Sequence, residues 1–114
     1  MSERGRDAED RAATFLQQQG LILIERNYRC RLGEIDLIAR DGNTLVFVEV
    51  RMRSGTSFGG AAASITAAKR RKLTLAARHY LAGTRKMPPC RFDALLITGA
   101  AHTMEWIKNA FDEQ

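Results

Sequence analysis

Cysteine, proline and aromatic residues are scarce in this chain: two Cys, two Pro and 7% aromatics in 114 residues. Cys30 and Cys90 stand far apart, with no Cys-x-x-Cys and no Cys/His spacing around either. That argues against a zinc site and leaves two free thiols serving as small apolar side chains in a reducing compartment. No stretch approaches the ~18 consecutive apolar residues of a membrane span. The first seven residues are polar and lack the apolar core of a signal peptide, so a cytoplasmic, bacterial protein without membrane contact is expected. Repeats and low-complexity runs are missing too. At 45% hydrophobic and 27% charged the composition excludes disorder as the main description, and the length leaves no room for a second core. Residues 1–114 therefore read as one domain.

Positive charge is in surplus. Eighteen Lys and Arg stand against thirteen Asp and Glu, a net charge of +5. Basic domains of this size often bind polyanions, nucleic acid above all. Charge alone speaks to association and not to fold. It gains meaning where acids gather without a structural reason.

Residues 7–19 predict a helix closed by Gly20, with Ala8, Ala12, Ala13, Phe15 and Leu16 on one arc at ~100° per residue. Residues 21–29, 34–40 and 44–51 predict three strands. Gly42-Asn43 suits the two-residue type II′ turn of a hairpin between the last two. That turn sets the register: Asp41 opposite Thr44, then Ala39 opposite Val46, Leu37 opposite Val48 and Ile35 opposite Val50, the last three pairs making one wholly apolar face. The other face pairs Ile38 with Phe47, Asp36 with Glu49 and Glu34 with Arg51. Residues 66–82 predict a second helix, with Thr66 as N-cap and Leu73, Ala76, Ala77, Tyr80 and Leu81 on its apolar face. A loop marked by Gly55, Gly59 and Gly60 precedes it, and Pro88-Pro89 ends the connection after it. Residues 91–98 and 103–108 predict a last strand pair. The expected class is α/β, a central mixed five-stranded sheet flanked by helices.

Four residues are out of keeping with this scaffold. Asp36 and Glu49 face each other across a strand pair, where like charges destabilise a sheet. A divalent cation answers the conflict, since hard oxygen ligands suit Mg²⁺ or Mn²⁺; a slipped register with solvated acids answers it as well. Glu9 sits inside the apolar arc of the first helix, where a carboxylate is costly unless it is paired or binds a cation. Lys69 lines up with Leu73, Ala76 and Tyr80, one turn before the buried stripe, where a lysine stem can simply cover apolar surface. His79 and His102 have no ligand-like neighbours.

Gly33-Glu34-Ile35-Asp36-Leu37-Ile38 followed by Phe47-Val48-Glu49-Val50-Arg51 resembles the signature of the PD-(D/E)XK, or restriction-endonuclease-like, superfamily: an Asp on one strand and Glu-x-Lys on the next. More closely, the chain resembles the YraN-like family of small bacterial predicted endonucleases, which are similar in pattern to archaeal Holliday-junction resolvases. Ala8-Glu9, Asn27, Phe58-Gly59, Lys69, Arg91-Phe92-Asp93 and Asn109-Ala110-Phe111 extend the resemblance over nearly the whole chain. It implies a restriction-endonuclease-like fold and Mg²⁺- or Mn²⁺-dependent hydrolysis of DNA phosphodiester bonds, in branched DNA if the resolvase likeness extends to substrate. It implies Asp36, Glu49 and the Val50 carbonyl as metal ligands, Glu9 as a helix-borne acid at the same site, and Lys69 as a cation near the phosphate. The superfamily lysine is Arg51 here. Arginine holds phosphate oxygens but cannot act as a general base, and a cross-strand pair with Glu34 competes for it. A junction-cutting enzyme needs two active sites and hence a homodimer, although the sequence carries no interface signature. The competing expectation is a non-catalytic nucleic-acid-binding protein on a nuclease-like fold.

Overall fold

The computed structural model describes residues 3–53, 65–98 and 103–111. Phe58-Gly59, the glycine-marked loop and His102 lie outside the described residues. The elements run α1 (Glu3–Gln18), β1 (Ile22–Cys30), β2 (Gly33–Asp41), β3 (Thr44–Arg53), α2 (Ala67–Leu81), β4 (Cys90–Thr98) and β5 (Thr103–Phe111). Their order and kind are those the hydrophobic periods predict. The strands form one mixed sheet in the order β1-β2-β3-β4-β5. Only β3 and β4 run parallel, because the connection between them carries α2.

The two helices cover opposite faces of this sheet. Ala8, Ala12, Ala13 and Leu16 of α1 pack on Leu37, Ala39, Val46, Val48, Leu95 and Ile97. Leu73, Ala76, Ala77 and Leu81 of α2 pack on Ile35, Ile38, Phe47, Phe92 and Ala94. Among the described residues no helix is long and apolar enough to cross a membrane.

Local chemistry sets the ends of the elements. Gly20 closes α1 at φ +95°, donating to the Gln17 carbonyl at 3.0 Å while Leu21 donates to the Leu16 carbonyl at 3.1 Å. This is the Schellman closure, with Leu21 and Leu16 packed in the same core. The Thr66 side chain caps α2 by accepting from the Lys69 amide at 3.1 Å. Gly42 takes φ +61° in the β2–β3 turn, and the register beyond it is the expected one: Asp41 with Thr44, Ala39 with Val46, Ile38 with Phe47 and Leu37 with Val48.

Gly33 has a different task. A Cβ there would stand 2.8 Å from the Lys72 carbonyl oxygen, so the start of β2 lies against the α2 backbone. Gly33→Ala is expected to cost ~1–3 kcal/mol, the usual penalty of overpacking where backbone must give way. Urea unfolding of the two proteins checks it.

Past Leu37 and Val48 the strands depart from expectation. The β2–β3 ladder stops there, and neither Ile35–Val50 nor Glu34–Arg51 pairs across it. β2 stays with β1 through Tyr28–Ile35 and Arg29–Glu34, while β3 stays with β4 through Val50–Leu95 and Arg51–Leu96. The two strands therefore part. Ile35, expected beside Leu37 and Ala39, packs instead on the α2 face with Ile38. The alternation slips in both strands beside Asn27, and β1 carries a further register shift between Leu23 and Glu25. Arg26 reaches Asp10 on the α1 side, whereas Tyr28 packs on the α2 side. Asn27, between them at φ +54°, lies opposite Asp36 in the register. An asparagine adopts the left-handed region at modest cost.

Candidate functional site

Asp36 occupies the point where the strands part, and its side chain takes over from the ladder. Its Oδ2 accepts from the Val50 amide at 2.9 Å, satisfying a donor that β2 backbone would otherwise meet. The same carboxyl lies close enough to Glu49 to raise that group's pKa. Glu49 is buried at 3% exposure. Desolvation, then the charge of Asp36, then the hydrogen bond to it push the Glu49 pKa up to about 8, against an opposing pull from Lys69. The two acids thus meet as expected, through side chains at the mouth of a splay and not as a ladder pair.

The cations expected around them are there. Lys69 Nζ, delivered from the first turn of α2, lies 3.4 Å from Glu49 Oε2. Arg51 Nη1 lies 3.7 Å from the same oxygen. The expected Arg51–Glu34 pair does not form, because the splay carries Glu34 away with β2, where Arg29 holds it at 3.2 Å.

Glu9 approaches Asp36 from the α1 side. It is 4% exposed, and its Oε1 is buried with no hydrogen-bond partner. Burial and the Asp36 charge raise its pKa, while the Asn27 side chain and Arg26 favour the carboxylate. Asp36 therefore feels both other acids, Glu9 on one face and Glu49 on the other. Among the described residues no group of three His, Cys, Asp or Glu side chains is arranged to hold a metal ion. The donor chemistry still suits a hard cation: two carboxyls in contact, a third with an orphaned buried oxygen, and no sulfur or imidazole among them.

Sequence reasoning passed over a third buried acid. Asp93 is fully buried on β4. Its Oδ1 accepts from Arg91 Nε at 2.8 Å and the Asn109 amide at 2.9 Å; its Oδ2 accepts from Trp106 Nε1 at 2.9 Å and Arg91 Nη2 at 3.0 Å. Those four bonds use the acceptor capacity of a carboxylate, so Asp93 ties β4 to β5 and has nothing left for a ligand. Asn109, at φ +54°, forms the irregularity in β5 that aims its amide there. The signal was present: an acid inside the apolar run Phe92 to Ile97, with an arginine two residues before it on the same strand face. His79, given no role from sequence, hydrogen-bonds the Tyr28 hydroxyl. Arg70 donates to the Ile65 carbonyl at 3.0 Å and lies 5.8 Å over the Phe111 ring.

Fold and site together define a three-layer α/β protein with an acidic slot where two central strands part. The chain belongs to the family described as "Uncharacterised protein family UPF0102", whose model matches residues 8–97. It is similar to a UPF0102 protein of Nitrosomonas europaea, 68% identical over 111 residues that cover 96% of this chain and 94% of the relative. It is also similar to UPF0102 proteins of Dechloromonas aromatica, 62% identical over 108 residues (95% and 88% covered), and Nitrosospira multiformis, 58% identical over 110 residues (96% and 92% covered). The matched segment contains Glu9, Asp36, Glu49, Arg51, Lys69 and Asp93.

Proposed function

We propose that the protein is a metal-dependent endonuclease that hydrolyses DNA phosphodiester bonds, on a restriction-endonuclease-like form of this fold. The observation that carries the reading is the contact between Asp36 and Glu49. A half-buried acid beside a buried one whose pKa is pushed up to about 8 is unfavourable without a cation to relieve the pair. Asp36, Glu49 and the Val50 carbonyl are the groups to hold Mg²⁺ or Mn²⁺, with Glu9 on the far side of Asp36. A divalent ion bound there supplies Lewis acidity to the scissile phosphate and acidifies a bound water. Lys69 and Arg51, already at the mouth of the slot, would turn from Glu49 to the phosphate oxygens and neutralise the charge that develops on them. Arg51 stays protonated and acts only as a donor. The net charge of +5 supports the same reading, since it favours flanking phosphates.

The second reading is a nucleic-acid-binding protein without catalysis. Its support is that Lys69 and Arg51 already lie beside Glu49, where a metal would stand, and that an arginine replaces the pattern's lysine. A nuclease assay separates the two, using linear, single-stranded, flapped and four-way-junction DNA with Mg²⁺ or Mn²⁺. Cutting that Asp36→Asn abolishes supports the enzyme. Binding without cutting under either metal supports the other reading.

Arg51 gives a finer test on whichever substrate is cut. Arg51→Lys should preserve or raise the rate. Arg51→Ala should lose ~10²–10³-fold, the cost of one transition-state donor. DNA affinity should fall far less, because many phosphate contacts share it. An Arg51→Ala protein that cuts at the parent rate removes Arg51 from the site.

A further inference from the structure

The β1–β2 turn breaks a local rule without a gain to folding. Arg31 and Leu32 are the two loop residues between the paired Cys30 and Gly33. Two-residue hairpin loops favour types I′ and II′, built on Gly, Asn or Asp at positive φ. Neither Arg31 nor Leu32 is such a residue, and neither takes positive φ. Leu32 is 41% exposed at the tip, so it contributes little to the core. A local rule broken with no compensating gain is a mark of a functional position.

The turn is also held in place. Gly33 abuts the Lys72 carbonyl closely enough that no Cβ fits between them. The turn is therefore seated on α2 and stands out as a fixed prong. Cations surround it. Arg31, Arg71 and Lys72 are exposed, and none of the described residues pairs with them. Arg71 and Lys72 lie in the first half of α2, whose first turn holds no acid. The prong is beside the slot: Lys72 follows by one turn the Lys69 that reaches Glu49. Gly33 precedes Asp36 by three residues, ~10 Å along a strand, a length that spans about three base steps of one DNA strand.

We propose that this turn is the element by which the protein engages DNA next to the slot: Leu32 enters an unstacked base step, and Arg31, Arg71 and Lys72 hold the flanking phosphates. Apolar side chains entering a base step are a known way to exploit deformable DNA, and the entry costs less where the step is already mismatched. The protein thereby selects duplex with a weakened step over continuous duplex. The inference rests on the nucleic-acid part of the reading above and not on its cleavage chemistry.

The test uses the full chain in EDTA, so that no cutting intervenes. Two duplexes, one perfect and one with a single mismatch beside a 2-aminopurine, are titrated at several salt concentrations. The parent protein should bind the mismatched duplex several-fold more tightly and raise 2-aminopurine fluorescence. Leu32→Ser should lose both the preference and the fluorescence rise while keeping its affinity for perfect duplex. The double variant Arg31→Ala/Lys72→Ala should weaken binding to both duplexes alike and lower the salt slope by about two units. A Leu32→Ser protein with unchanged preference and fluorescence overturns the proposal, as does a parent protein that binds neither duplex. A parent that shows the preference here but cuts nothing with Mg²⁺ or Mn²⁺ refutes the endonuclease reading and leaves this one standing.

Discussion

Asp93→Ala is expected to destabilise the protein by ~3–5 kcal/mol, the cost of stranding a buried partner after its counter-charge is removed. For a domain of this size that lowers Tm by upwards of ~12 °C. The loss is large because four donors converge on one fully buried carboxylate. Arg91 would keep only its bond to Asp41 at 3.1 Å, the Trp106 indole and the Asn109 amide would lose their acceptor, and the β4–β5 irregularity would lose what holds it. The four bonds are partly buried, so each orphaned donor carries part of a desolvation penalty. An arginine stays charged at any ordinary pH, so the Arg91 guanidinium must be rehydrated or re-paired when the acid is gone. Thermal and urea unfolding by circular dichroism measure the effect. A loss below ~1 kcal/mol would mean that β5 is held to β4 by its apolar contacts alone.

At the slot the expected sign is opposite. Glu49 has an ordinary pKa of 4.5 when unfolded and about 8 when folded. Between those values the folded protein binds the extra proton, so its contribution to stability is full below pH 4.5 and is lost as pH rises towards 8. Metal-free parent protein should therefore lose Tm across that window relative to Glu49→Gln, which has no proton to lose. Asp36→Asn should flatten the same slope by removing the neighbouring charge while leaving an oxygen to accept from the Val50 amide. Both variants should equal or exceed the parent in stability at pH 8. Scans in EDTA from pH 5 to 8 check this. A parent that gains stability over the window, relative to Glu49→Gln, would mean that Glu49 is held as a structural carboxylate.

Much of this was legible in the sequence because it rests on strong local signals. The Gly42-Asn43 turn fixed the β2–β3 register as far as Leu37 and Val48, and Gly20 and Thr66 marked helix ends by their cap chemistry. The misplaced charges were legible for the same reason: Glu9 in an apolar arc and Asp36 opposite Glu49 conflict with their surroundings whatever the tertiary fold. The parting of β2 from β3 was not legible. It comes with positive φ at Asn27 in the neighbouring strand and with a side chain in place of a backbone acceptor, neither of which leaves a trace in hydrophobic period. The misplaced expectations for Ile35 and for the Glu34–Arg51 pair both follow from that one event. Asp93 was missed although its position in an apolar run carried the same kind of signal as Glu9.

The central claim is that Asp36 and Glu49 hold a divalent cation for work on a phosphodiester. Calorimetric titration of Mn²⁺ and of Mg²⁺ into the parent protein, Asp36→Asn and Glu49→Gln at pH 8 tests it most directly. Saturable binding by the parent and none by either variant, with all three folded, is the predicted result. No binding by the parent, or equal binding by all three proteins, would contradict it.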